Sequence, residues 1–143
     1  VNIHVVTVGE PKLAYAKAGW QEYWQRLRHY HNVRATHIAD KHAYDARHIA
    51  DVCGKAYKMA LVIDGRQLSS PELAGFLEKR ALDGRELCLI IGGPEGLPAD
   101  FIAAADYCLS LSRLTLPHDL AMVVLLEAVY RASTISAGQP YHK

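Results

Sequence analysis

Leu87-Cys88-Leu89-Ile90-Ile91-Gly92-Gly93-Pro94-Glu95-Gly96-Leu97-Pro98 is the stretch on which the fold turns. Five apolar residues in a row read as a strand buried on both faces, the habit of a parallel sheet. The strand runs into a loop with three glycines in five residues. A second strand-like run, Tyr107 to Leu111, opens into Ser112-Arg113-Leu114-Thr115-Leu116-Pro117-His118. Strand ends that open into Gly, Ser and Thr backbone are how an open α/β sheet builds a ligand crevice.

Working outward, Asn2–Val8 reads as a first strand broken by Gly9-Glu10-Pro11, and Lys12 to about Arg28 as a helix. Val33–Ile38 and Met59–Ile63 read as strands, with a helix over 45–58 between them that ends in Lys55 and Lys58. Asp64-Gly65-Arg66 reads as a turn. Ser70-Pro71-Glu72 starts a helix, with Ser as cap, Pro at the first position and an acid in the first turn; it stops at Asp83-Gly84. A short helix follows Pro98, and Pro117 to about Ser136 is the last helix. This alternation predicts one domain over 1–143: an α/β fold with a mostly parallel sheet flanked by helices.

Between Leu120 and Ile135 only Glu127, Arg131, Ser133 and Thr134 are polar. A helix apolar nearly all round is buried on two sides. One side can be its own sheet; the other predicts a symmetric homodimer.

Composition is ordinary for a globular chain: 143 residues, 50% hydrophobic and 22% charged. No apolar run has transmembrane length, and no leader pattern precedes the first strand. Cys53, Cys88 and Cys108 are odd in number and far apart, which predicts free thiols in a reducing cytoplasm. The histidines have no metal-ligand spacing, so no metal is expected. Net charge is +1, yet residues 1–60 hold nine Lys/Arg against five Asp/Glu. That basic half, with Lys12, Lys17, Arg26, Arg28 and Arg34, can face a polyanion, or be a solvated mixed surface.

The glycine loop is neither a P-loop nor G-x-G-x-x-G, so dinucleotide binding is unsupported. His118 either contacts a ligand or is a first-turn surface residue. Spacing alone reveals no nucleophile. The residues predict a crevice of 63–66, 92–96 and 111–118, and leave the ligand open.

Four ordered segments carry a more specific signal: Ile91-Gly92-Gly93-Pro94-Glu95-Gly96, Leu111-Ser112-Arg113-Leu114-Thr115-Leu116-Pro117-His118, Leu126-Glu127-Ala128-Val129-Tyr130-Arg131-Ala132, and Pro140-Tyr141-His142-Lys143. With Val6-Thr7-Val8-Gly9 and Leu68-Ser69-Ser70-Pro71-Glu72-Leu73-Ala74, they make the whole chain resemble the ribosomal large subunit pseudouridine methyltransferase H family, a minimal branch of the SPOUT methyltransferases. The resemblance implies a C-terminal trefoil knot, a tight homodimer and S-adenosylmethionine at the knot. It implies N3-methylation of a pseudouridine in 23S rRNA of the assembled ribosome. The cofactor positions it implies are Ile63, Gly92 and Leu111, Ser112, Arg113, Leu114, Thr115 and Leu116.

For the catalytic step, His142 is the first candidate base or orienter and Glu95 the second base candidate. Tyr141 can stack on the target base, and Arg131 can hold a phosphate or a base carbonyl. The chain departs from the family at Met122, where an arginine facing RNA or the dimer seam is usual. That departure keeps two rivals in view: another SPOUT activity such as tRNA ribose methylation, and a catalytically silent ribosome-binding dimer.

Overall fold

A computed structural model describes residues 1–143. Five strands form one sheet in the order β2-β1-β4-β3-β5, and every pairing is parallel. They are β1 (Asn2–Val8), β2 (Asn32–Ile38), β3 (Tyr57–Arg66), β4 (Leu87–Ile91) and β5 (Tyr107–Leu109). The helices are α1 (Ala14–Leu27), α2 (Ala46–Cys53), α3 (Ser70–Asp83), α4 (Ala99–Ala104) and α5 (His118–Ser136).

The two-residue period of the strands divides the core into layers. Ile3, Val5, Met59, Leu87, Leu89 and Ile91 face one way and pack with Trp20 and Leu27 of α1, Leu73 and Leu77 of α3, and Leu125, Leu126 and Val129 of α5. Val6, Val8, Ala60, Cys88 and Ile90 face the other way, against Ile49 and Cys53 of α2 and Phe101 of α4. β4 lies between β1 and β3, so all five of its residues are buried. That explains its unbroken apolar run.

Several boundaries differ from the sequence reading. The helix expected over 45–58 stops at Cys53, because Gly54 takes a positive φ of 60° and Tyr57 already joins β3. Lys58 still serves that helix end: its Nζ donates to the Gly54 carbonyl at 2.8 Å. Asp64-Gly65-Arg66 is no turn but the end of β3, which bulges between Leu61 and Arg66 to stay paired with β5. A Cβ on Gly65 would sit 2.8 Å from the Cys108 and Leu109 backbone, so the glycine permits close strand approach. The cap of α3 is Ser69, not Ser70: Ser69 Oγ accepts from Glu72 N, and Glu72 Oε1 accepts from Ser69 N. β5 ends at Leu109, leaving 110–117 as a loop.

α5 packs between α1 and α3 on its own sheet, which accounts for most of its apolar girth. Leu120, Val124, Ala128 and Ile135 recur at helical spacing and remain half-buried. Met122 is 0% exposed, in the core with Leu125 and Leu126. The position where the resemblance implies an arginine therefore faces the interior of this chain. An apolar side chain suits that place. No helix is long and apolar enough to cross a membrane.

Candidate active site

The carboxyl ends of β3, β4 and β5 open into one cleft of about 410 Å³. Three chain segments and Ile102 of α4 wall it: Leu61–Ile63 from β3, Ile91–Leu97 at and after the end of β4, and Leu111–Ala121 after β5, of which Leu111, Ser112, Leu114, Thr115, Leu116, His118 and Ala121 are in contact. Of the eight expected cofactor residues, Ile63, Gly92, Leu111, Ser112, Leu114, Thr115 and Leu116 line this cleft. Arg113 does not; it is exposed beside it. Ile63 is 51% and Leu114 76% exposed, so large apolar side chains stand open to solvent at the walls.

The loops owe their shape to backbone and hydroxyl chemistry. A Cβ on Gly92 would lie 2.6 Å from the Gly96 carbonyl carbon and 2.7 Å from Leu97 N. The loop doubles back on itself there, and Gly96 turns it with a φ of 84°. Gly92 thus makes room for its own loop, where the sequence suggested room for a ligand. On the facing loop, Ser112 Oγ accepts from Leu114 N at 2.9 Å, and Ser110 Oγ donates to Ser112 O at 3.0 Å.

No lysine or arginine lines the cleft, and its one carboxylate is Glu95. Tyr44 donates to Glu95 Oε2 at 3.2 Å. His118, which the sequence left between two readings, is a cleft residue. Its Nε2 lies 2.8 Å from the Val8 carbonyl. A carbonyl only accepts, so Nε2 carries a proton, and in the neutral ring Nδ1 is the accepting nitrogen. The next residue, Asp119, is buried and accepts from Lys12 N at 2.8 Å and Leu13 N at 2.6 Å. Those bonds, Leu13's foremost, hold its carboxyl below the usual carboxylate range.

The remaining candidates form a second constellation. Arg131, Tyr141 and His142 do not line the cleft. Arg131 lies ten residues beyond Ala121 on α5, about 15 Å along the axis. Glu127, which the sequence treated only as Arg131's helical partner, is the hub here. Its Oε2 accepts from Arg131 Nη2 at 2.8 Å and from Tyr141 Oη at 2.8 Å. Arg131 Nη1 in turn donates to His142 Nδ1 at 3.2 Å. Tyr141 packs edge-on against Tyr130 with centroids 4.7 Å apart, and the Arg131 guanidinium lies 4.8 Å from the Tyr141 ring centre. Burial, then the neighbouring Tyr23 and Glu127, push the Tyr141 phenol up, so it stays a protonated donor. Sequence missed Tyr23 and Tyr130 as members, because an i,i+118 proximity such as the 3.4 Å between Tyr23 Oη and Tyr141 Oη leaves no local signal.

No group of three or more His, Cys, Asp or Glu side chains is arranged to hold a metal. Five cations were expected to face a polyanion. Arg34 is forked onto Glu86 at 2.8 and 2.9 Å, and Arg26 is paired with Glu22 at 2.8 Å. Lys12 and Lys17 share a polar hollow with His37 at the ends of β1 and β2.

Comparison with known proteins places this architecture. Residues 1–142 match the family model described as "Predicted SPOUT methyltransferase". The proteins named "Ribosomal RNA large subunit methyltransferase H" from Deinococcus deserti and Deinococcus radiodurans are each 48% identical to this chain over its full length, and 100% and 99% of their own lengths are covered. The protein of that name from Clostridioides difficile is 38% identical, with both chains covered in full. A solved structure of a probable methylase family protein from Haemophilus influenzae superposes with a TM-score of 0.62 over 99% of this chain and 70% of its own, at 10% identity, a likeness of fold alone. An all-parallel sheet with a glycine-rich cleft at its carboxyl edge, matched along its length by these relatives, makes the chain a member of the SPOUT methyltransferase family.

Proposed function

We propose that this protein is an S-adenosylmethionine-dependent methyltransferase for N3 of a pseudouridine in 23S rRNA, acting as a homodimer on the assembled ribosome in the cytoplasm. The observation that carries the reading is the character of the cleft: apolar walls, backbone-rich loops, one carboxylate and no Lys or Arg. That lining suits a positively charged sulfonium, which a cationic wall would repel. The relatives' names supply the class of substrate.

When bound, S-adenosylmethionine supplies a methyl carbon on positive sulfur; N3 gives that carbon its electron pair and gives its proton to an acceptor, and the sulfur leaves as a neutral thioether. Ile63, Leu111, Leu114 and Leu116 form the apolar wall, with the 92–96 and 112–115 backbone as hydrogen-bonding edge. Glu95 stands in the cleft as proton acceptor, oriented by Tyr44. Arg131, Tyr141 and His142 lie away from their own cleft, so they serve the partner's. The half-buried stripe Leu120, Val124, Ala128 and Ile135 is the surface on which a second copy would close. A C-terminal trefoil knot belongs to the same reading. It is supported by a chain that leaves edge strand β5, lines the cleft and returns between α1 and α3.

An assembled particle suits a chain with few free cations. Net charge is +1, and Arg26 and Arg34 are already paired within the protein. Affinity for free RNA rises with the phosphates neutralised, and little is available here. The test is transfer of a radiolabelled methyl group to whole ribosomes, separated subunits and naked 23S rRNA. Ribosomes should be the best acceptor by a wide margin. Equal rates on naked RNA overturn the particle claim, and labelling of tRNA alone overturns the substrate.

A further inference from the structure

We infer that His142 acts as a hydrogen-bond donor through Nε2, its ring set by Arg131 and Glu127, and that it is not the proton acceptor of the reaction. This rests on the proposed function above for what the donor meets, but not for the state of the ring.

The bond between Arg131 and His142 can run only one way. A guanidinium has five N–H donors and no acceptor. Arg131 Nη1 lies 3.2 Å from His142 Nδ1, so Nδ1 must be the accepting nitrogen. The neutral ring then carries its proton on Nε2, the atom directed away from Arg131. Arg131 has little freedom to offer another arrangement. Its Nε and Nη2 are both on Glu127, at 3.2 and 2.8 Å to Oε2, which leaves Nη1 for the histidine. Glu127 Oε2 also accepts from Tyr141 Oη at 2.8 Å, so one carboxylate fixes the guanidinium and the residue preceding His142 together. A carboxylate–guanidinium–imidazole chain polarises each bond in the same sense, toward a better donor at Nε2.

A donor is what the far side of this reaction lacks. N3 of a pseudouridine lies between two carbonyls. As its proton leaves, negative charge spreads onto their oxygens, and a fixed N–H aimed there stabilises the developing charge. The base role falls to an acceptor in the cleft, where Glu95 stands. Tyr141 is already donating to Glu127 and is unable to accept the proton as well. Glu127 and Arg131 are positioning residues, acting through His142.

The test has two arms. In full-length protein labelled with 15N at histidine, the neutral His142 ring should show a pyrrole-type Nε2 and a pyridine-type Nδ1. Arg131→Ala should blur this into a tautomer mixture. A protonated Nδ1, or an Arg131→Ala spectrum identical to wild type, overturns the inference. This arm needs no substrate, so it stands even if ribosomes are not methylated. The second arm uses transfer to ribosomes, after each variant is shown to be folded and to bind S-adenosylmethionine. His142→Ala should lose about 10²–10³-fold in kcat, the usual cost of one oxyanion donor. His142→Gln sets an amide N–H near the place of Nε2 and should recover at least about tenfold over His142→Ala. His142→Asn, whose amide reaches only to the place of Nδ1, should not. Equal loss in all three variants marks His142 as the base and overturns the proposal.

Discussion

Asp119 at the start of α5 accepts a 2.6 Å hydrogen bond from the backbone N–H of Leu13, at the start of α1. Leu13, the residue that precedes α1, has no side-chain cap of its own, so the borrowed carboxylate does that work from 106 residues away. Asp119→Ala should cost about 1–2 kcal/mol, the scale for losing a side-chain acceptor at a helix start, read by urea unfolding. The pH dependence has a definite sign. The folded carboxyl titrates below its unfolded value. Its contribution is therefore full above the ordinary aspartate range and fades as pH falls through the lowered folded value. In Asp119→Ala that part of the acid sensitivity should vanish.

Gly92 and Gly93 are neighbours with unlike constraints. A Cβ at Gly92 meets Gly96 and Leu97 backbone at 2.6–2.9 Å, whereas one at Gly93 meets the side chains of Val8 and Ala43 at 3.4 Å and beyond, ordinary contact. Gly92→Ala should destabilise the protein by about 1–3 kcal/mol and weaken cofactor binding with it. Gly93→Ala should stay close to wild type in both. Calorimetry and thermal melts on the pair decide this, and equal behaviour would contradict the loop geometry.

A cation placed in the cleft should distinguish sulfonium from thioether. Ile63→Arg adds a positive charge at an exposed wall position. At an effective dielectric near 20, like charges several ångströms apart repel by about 1–2 kcal/mol, before further solvent screening. S-adenosylmethionine should weaken about fivefold to tenfold more than S-adenosylhomocysteine, which has a neutral sulfur. The same loss for both ligands would mean that sterics, not charge, govern the site.

Val124 and Leu125 separate association from folding. Leu125 is fully buried between the helices of its own protomer, while Val124 is half-buried. Leu125→Glu should fail to fold stably, by burying an unpaired charge. Val124→Glu should fold and sediment as a monomer under conditions where the wild type is expected to sediment as a dimer. A wild-type monomer at micromolar concentration would sink the homodimer.

The sheet was legible mainly from β1 and β4, mostly apolar runs of seven and five residues that end at Gly9 and Gly92. Asn2–Val8 was placed to the residue, and Leu87–Ile91 within one. Errors arose where long-range pairing overrode local chemistry. Asp64-Gly65-Arg66 carries turn residues, yet β5 recruits it into β3 through Gly65. Ser69 outcompeted Ser70 as a cap because only Ser69 is spaced correctly for the return bond from Glu72. The cleft walls were legible as strand ends, all but Arg113. The Glu127 hub was not, because its members come from α1, α5 and the tail, and no periodicity links Tyr23 to Tyr141.

The pairing of β1 with β4 also sets a timetable for folding. Ile3 lies opposite Leu87, so the centre of the sheet joins two segments 84 residues apart. β1 and β2 can meet earlier, but they have only one shared edge until β4 arrives, and β3 reaches β1 only through β4. Closing so long a loop before any reward is the slow step of parallel topologies. During synthesis, Val6 and Val8 can find Ile38, Ile49 and Cys53 within the first 60 residues, but the face of β1 that carries Ile3 and Val5 lacks its β4 and α5 neighbours until those segments have left the exit tunnel. Refolding should accordingly be slow and sensitive to concentration, and chain release, not initiation, is when this molecule becomes compact.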